Sequence, residues 1–358
     1  MSTGLICNNC FTAKMREPLD GHPSYLICPN CGAIQLTYEP QDYQEPLHQV
    51  PYVQIFDPET GQWVTRIQII GVFGGYGSGK SKASLQEFFI RALENPGGSG
   101  VFTAPTLGQL KKTTLTVFFE EVCPPVLLDK SFGNGGYNKT DGEIRLINGF
   151  RIYVLASDDE DKIRSLNVGL VHIEEASGIK RSIFDQLLSR MRDQKVKNKA
   201  IFVCSNPDLG WINEVLVKNE ERKDPNHPEH DMYNPAIVTF IWPTWLNKRL
   251  PPDFIEVNTR GKPDWWIERY INGSFKHSEG MVYANVARCF RPSAEFGPIL
   301  PEWERFVTMD FGLTNPTAIL FHAIDHTTGT VITYDEHYYA GKTVPWHVKH
   351  IKPKLEAI

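Results

Sequence analysis

An α/β fold with a doubly wound, mostly parallel sheet is predicted by three observations. Short apolar runs rich in isoleucine and valine end in small or polar residues at RIQIIGVFGG, VFTA, RIYVLA, VGLVHIEE and KAIFVCSN, enough for a sheet of at least five strands. Helical segments separate these runs, the clearest carrying Leu85, Phe88, Phe89 and Ala92 on one stripe before Asn95-Pro96-Gly97-Gly98 stops it. Runs that are apolar throughout suit strands covered by helices on both faces.

At 358 residues the chain has room for two domains and a remainder. Hydrophobic residues at 41% and charged residues at 22% exclude a disordered class. The run from Ile67 to Phe73, broken by Gln68, falls far short of the roughly 18 residues a bilayer requires. The N-terminus lacks the basic start and apolar core of a secretion signal, so a reducing cytoplasm is expected. With 37 basic and 42 acidic residues the formal net charge is -5. Contact with nucleic acid must therefore be local rather than driven by a global field.

Residues 1–40 read as a zinc ribbon. Cys7 and Cys10 form one CxxC pair and Cys28 and Cys31 another, with seventeen residues between them. Two such turns aim four thiolates at one Zn²⁺ and leave no open position for substrate, which makes the role structural or recognitional. A segment this short has no adequate core without a staple. Residues 41–58, rich in proline and acid, read as a linker.

The next unit, 59–230, carries a full match to GxxxxGK[ST] between strand and helix: Gly74, Gly75, Tyr76, Gly77, Ser78, Gly79, Lys80 and Ser81. Consecutive backbone N–H groups of such a loop face phosphates, Lys80 reaches the β- and γ-phosphates, and Ser81 holds Mg²⁺. The strand LVHI ends in Glu174 and Glu175, where one acid serves the metal shell and the next polarises a water. Asn206 follows another strand tip, where an amide can reach a γ-phosphate or an attacking water. Each of these two signals has a plainer reading: a strand running into solvent, or an Asn-Pro turn. Residues 231–302, with Trp242, Trp245, Trp265 and Trp266, read as a linker subdomain. From 303 to 358 three strands, FVTMDFG, TAILFHAID and TVITYDEHYY, precede a helix from Val344.

Together GGYGSGKS, LVHIEEAS with LLSRMRDQ after it, SNPD and VTMDFGLTNPTAIL resemble the large terminase subunit of tailed bacteriophages, from about Pro51 to the end. The resemblance implies an ATP-driven motor that packages double-stranded viral DNA into a prohead in the host cytoplasm, with a C-terminal nuclease. It also implies a portal protein and a small terminase subunit as partners, and a homo-oligomeric ring when docked. Lys80, Ser81, Glu174 and Glu175 take the ATPase roles with ATP and Mg²⁺, and Asn206 the coupling position. Arg164, eleven residues ahead of Glu175, matches an arginine finger acting on the neighbouring subunit; its alternative is pairing with Asp158, Asp159 or Asp161. The basic residues Arg190, Arg192, Lys195, Lys197 and Lys199, and Lys111 and Lys112 in the loop after the Val101 strand, are candidates for salt-sensitive DNA contacts, the plainer reading of any single lysine being a solvated helix end. Asp310 matches the first metal-binding acid of a ribonuclease-H-like nuclease whose remaining acids are expected beyond Ile358, so this chain alone is expected not to cleave DNA. Three features depart from the family: the ribbon itself, Glu174 where aspartate is usual, and Gly74 where a basic residue is common. Two other readings compete. A helicase-like, DNA-remodelling ATPase should carry a second motor domain with its own arginine motif, and a nucleotide-switched zinc-ribbon adaptor should show no turnover.

Overall fold

The computed structural model describes residues 2–6, 14–16, 24–28, 34–58, 61–275, 289, 298–312 and 315–356. Two units divide the chain, Met1–Val282 and Tyr283–Ile358.

In the first unit, β1 (Ser2–Ile6), β2 (Lys14–Arg16), β3 (Tyr25–Ile27) and β4 (Ile34–Leu36) form an antiparallel meander. In sequence, one CxxC pair falls between β1 and β2 and the other between β3 and β4. Cys7, Cys10 and Cys31 lie outside the described residues, whereas Cys28 is described and buried. A hairpin of β5 (Gln54–Asp57) and β6 (Gln62–Thr65) follows.

The main sheet contains β7 (Gln68–Gly74), β8 (Ser99–Ala104), β9 (Tyr137–Asn138), β10 (Glu143–Arg145), β11 (Arg151–Ala156), β12 (Leu170–Ile173), β13 (Ala200–Ser205) and β14 (Ile237–Trp242). Its order is β14-β7-β13-β12-β8-β11-β10-β9, parallel from β14 through β11 and antiparallel at the last two pairings. Side-chain alternation sends Ile70, Val72, Phe102 and Phe202 into one core with Phe88 and Phe89 of the Lys80–Glu94 helix. Ile69, Phe73, Val171 and Val203 enter a second core with Phe184 and Leu187 of the Arg181–Ser189 helix. Helices thus cover both faces, as the continuous apolar runs predict.

The organisation differs from the sequence reading at two places. Strand β14 lies past residue 230, where a separate subdomain was expected, yet it pairs with β7 as the sheet's edge. IVTFIW has the β-branched and aromatic composition of any strand, and Trp242 at its end is buried in the first core. Residues 41–58 are not a passive linker either. Glu45–His48 is a helical turn started by Pro46 near its N-terminus. Its Leu47 is fully buried, and His48 Nδ1 lies 2.9 Å from Glu87 Oε2 on the Lys80–Glu94 helix.

The second unit is an antiparallel meander of β15 (Glu304–Asp310), β16 (Thr317–Asp325) and β17 (Thr330–Tyr339), followed by the Val344–Glu356 helix. Ile319 and Phe321 pack with Ile351 as its small core. No helix among the described residues is long and apolar enough to cross a membrane.

Candidate nucleotide site

Three neighbouring parallel strands, β7, β13 and β12, carry the predicted residues at their C-terminal ends. Register pairs Ser205 with Phe73 and Val203 with Ile173, so Gly74 and Asn206 leave the sheet at one level and Glu174 leaves it two residues earlier, level with Cys204. Lys80 Nζ donates to Asn206 Oδ1 at 3.1 Å and to the Gly75 carbonyl at 3.4 Å. Ser81 Oγ donates to Glu174 Oε1 at 2.7 Å. Residues separated by about a hundred positions in sequence thus form two direct contacts at the mouth of one loop.

The loop's shape is imposed by its packing. Gly79 caps the Lys80–Glu94 helix with φ of 79°, a left-handed backbone that glycine adopts without penalty. A Cβ on Gly74 would stand 2.2 Å from the Trp242 carbonyl, which explains why no basic side chain occupies that position. Gly75 N–H donates to Trp242 O at 3.2 Å and Tyr76 N–H to Tyr270 O at 2.7 Å. Thr244 Oγ1 donates to Tyr76 O at 2.8 Å, Asn247 Nδ2 to Gly77 O at 2.6 Å, and Tyr43 Oη to Ser78 O at 2.8 Å. The Tyr76 ring stacks on Tyr270, with centroids 4.9 Å apart and planes 7° from parallel. This bracing by Tyr43 and by residues 242–270 is invisible in local spacing. Its one trace in the sequence is the aromatic density after Trp242.

Behind the loop Ser84, His172, Glu174 and Cys204 are buried. Burial pushes the Glu174 carboxyl up to about 7, against the lowering effects of the Ser81 hydrogen bond and the Lys80 charge. Its Oε2 has no hydrogen-bond partner among the described residues. An orphaned carboxylate oxygen beside a serine hydroxyl fits a hard divalent cation such as Mg²⁺, with Ser81 and Glu174 as the residues to hold it. Buried His172 is kept neutral by desolvation, its pKa down to about 3. Its Nε2 lies 2.9 Å from Ser84 Oγ, which also accepts from Cys204 Sγ at 2.9 Å. His172, Glu174 and Cys204 bring one ligand atom each within 4.8 Å of one another, although Ser84 already engages two of them. Spacing did not single out this layer, since His172 reads as an ordinary strand residue.

Glu175 is the one non-glycine residue with positive φ, 51°, among the described residues. Such a backbone costs about 1–3 kcal/mol and recurs at functional turns. Here it is held by Gly178 N–H on the Glu175 carbonyl at 3.0 Å and Ser177 N–H on Ser205 Oγ at 3.1 Å.

Other predicted residues are not gathered here. Arg164 is exposed and reaches Glu160 and Asp161 at 3.4 Å, on its own short helix. Arg192, Lys195 and Lys197 are exposed, whereas Arg190 and Lys199 are half-buried. Lys199 Nζ donates to Val196 O at 2.8 Å, and burial lowers its pKa. Lys111 and Lys112 are exposed on a π-helical turn rather than in a loop. Asp310, in the second unit, is exposed at the end of β15, and among the described residues no group of three potential ligands gathers around it.

A family model described as phage terminase large subunit matches residues 66–269. The PBSX phage terminase large subunit of Bacillus subtilis (strain 168) is 25% identical over 172 residues, which cover 47% of this chain and 38% of that protein. The chain thus spans well under half the length of that relative. The structure of the large terminase from a thermophilic bacteriophage superposes with a TM-score of 0.50 at 17% identity, covering 89% of this chain and 75% of that one. The ATPase domain of the Thermus phage P74-26 large terminase gives 0.46 at 17%, covering 66% and 94%. The family match covers the sheet from β7 to β14 and the loop, more than half of the sequence, and the chain belongs to the phage terminase large subunit family.

Proposed function

We propose that the chain is the ATP-hydrolysing motor subunit of a machine that moves double-stranded viral DNA into a prohead. The observation that carries this reading is the pairing of Lys80 with Asn206 and of Ser81 with Glu174 at one loop mouth. Lys80 neutralises the β- and γ-phosphates of ATP, and the free loop amides cradle them. Ser81 and Glu174 would hold Mg²⁺, which would supply charge neutralisation during phosphoryl transfer. Glu175 takes the proton of the attacking water. Asn206, which accepts from Lys80, lies where its amide can engage the γ-phosphate and so report its loss along β13. Arg164 is exposed and, among the described residues, held by two long contacts, which suits a guanidinium presented to the site of a neighbouring subunit in a ring.

In the same reading Lys111, Lys112, Arg192, Lys195 and Lys197 meet DNA phosphates. The four cysteines bind a structural Zn²⁺ in a ribbon facing DNA, the portal protein or a small terminase subunit. Asp310 belongs to a ribonuclease-H-like centre. The test is DNA-stimulated ATPase turnover of wild type against Glu175→Gln. A loss of at least 100-fold with nucleotide binding retained is expected. Undiminished turnover would refute the base assignment, and absence of turnover in the wild type would favour a nucleotide-switched adaptor.

A further inference from the structure

A cleft of about 450 Å³ opens on the main sheet at the edge away from the nucleotide loop. Ser99 and Arg151 begin β8 and β11, and Asn167 and Lys195 precede β12 and β13; Tyr153 and Leu155 continue the lining along β11, and Lys162 adds to it from the Glu160–Arg164 helix that follows. Six residues of β8 put Ser99, and with it Arg151, roughly 17 Å from the loop side of the sheet.

The cleft carries three cations, Arg151, Lys162 and Lys195, against one carboxylate, Asp193. Asp193 is already occupied: its Oδ2 accepts from Ser99 Oγ at 2.6 Å and its Oδ1 from the Lys195 backbone N–H at 3.0 Å. It braces the backbone that presents Lys195 instead of neutralising the ammonium. Lys162 Nζ has Asp159 at 2.6 Å. Arg151 and Lys195 have no ion pair or side-chain hydrogen bond among the described residues.

Arg151 is also placed against electrostatic preference. In the antiparallel ladder it stands directly opposite Arg145, and like charges so placed destabilise a sheet. Arg145 is compensated, with Glu143 at 2.6 Å and the Phe132 ring 3.7 Å from its guanidinium carbon. Arg151 has only the face of Tyr153, at 5.9 Å. A half-buried guanidinium beside an unpaired ammonium, over a wall of Tyr153 and Leu155, matches a doubly charged anion joined to a flat or sugar-like body.

We propose that this cleft binds a phosphate group of a nucleotide unit, free or within a nucleic-acid strand, through Arg151 and Lys195. The site is separate from the loop that takes ATP; a strand phosphate here rests on the DNA contact proposed above for Lys195, whereas a free nucleotide here would replace that contact.

The test uses the full chain and two probes. Fluorescence anisotropy follows a labelled 25-base-pair duplex across a salt series. Calorimetry follows ATP in a Lys80→Ala background, where the loop contributes least. If the phosphate belongs to a strand, Lys195→Ala weakens duplex binding three- to tenfold and flattens the salt dependence by about one unit of slope, as loss of one phosphate contact requires. Arg151→Ala has a larger effect that Arg151→Lys partly restores. If the phosphate belongs to a free nucleotide, the residual ATP binding of Lys80→Ala disappears on adding Lys195→Ala, with duplex affinity unaltered. Lys195 is exposed, so its loss does not threaten the fold, and thermal melting verifies this for the Arg151 variants. Unchanged duplex affinity, salt slope and residual ATP binding in Lys195→Ala and in folded Arg151→Ala would overturn the proposal.

Discussion

Replacing Glu174 with glutamine should stabilise the metal-free protein at pH 8 and leave it almost unaltered near pH 4. The side chain is 3% exposed, with one oxygen bonded to Ser81 and the other unpartnered. Its carboxyl moves from an ordinary 4.5 to about 7 in the fold. Between those values the folded chain keeps a proton that the unfolded chain has released. Stability therefore falls as pH rises from 4.5 through 7 and levels off above. At about 1.4 kcal/mol per pH unit, the span corresponds to roughly 3 kcal/mol. Glutamine imitates the protonated acid and still accepts from Ser81, so it escapes this decline. Urea denaturation from pH 4 to 8 in EDTA measures the difference directly. It should grow from near zero to about 3 kcal/mol in favour of Glu174→Gln, and Mg²⁺ with nucleotide should narrow the gap by stabilising only the wild type. A difference independent of pH, or a glutamine variant less stable at pH 8, would refute the claim that a buried, desolvated carboxylate waits for a cation.

Leu47→Ala should cost about 2–5 kcal/mol by chemical denaturation, because its side chain is fully buried under the Lys80–Glu94 helix; a residue in a passive linker would cost less than about 0.5 kcal/mol. Tyr43→Phe removes one hydrogen bond to the loop carbonyl of Ser78, about 1 kcal/mol, and should weaken nucleotide binding severalfold by calorimetry. Mixing Arg164→Ala with Glu175→Gln subunits under assembly conditions should recover ATPase activity that neither variant has alone, since one supplies the base and the other the guanidinium. Failure of complementation in assembled mixtures would assign Arg164 to its own helix.

Much of the site was legible because its parts are local. GGYGSGKS lies within eight consecutive residues, and the Ile/Val-rich strand before it and the amphipathic helix after it are each written in short-range periodicity. Glu174, Glu175 and Asn206 were found as strand tips, although a tip alone does not say which other tip it will face. Tyr43 and Leu47 escaped notice because Pro46 and the neighbouring acids make their segment look unstructured, while their roles depend on partners 35 or more positions away. His172 and Cys204 escaped for a similar reason. An alternating strand position shows that a side chain is buried but not that two polar ones meet around Ser84. Arg145 and Arg151 are unremarkable six residues apart in sequence, and their opposition exists only once β10 and β11 pair.

The sequence by itself determined the fold class, the phosphate loop and the acids at the strand ends, since backbone propensity and side-chain periodicity act over a few residues. Only the tertiary structure decided the order β7-β13-β12, which brings Asn206 to Lys80 and Glu174 to Ser81, and the bracing of the loop by Tyr43, Trp242 and Tyr270. Those choices rest on which apolar faces can be buried together, and burial is a property of the whole chain rather than of any window along it.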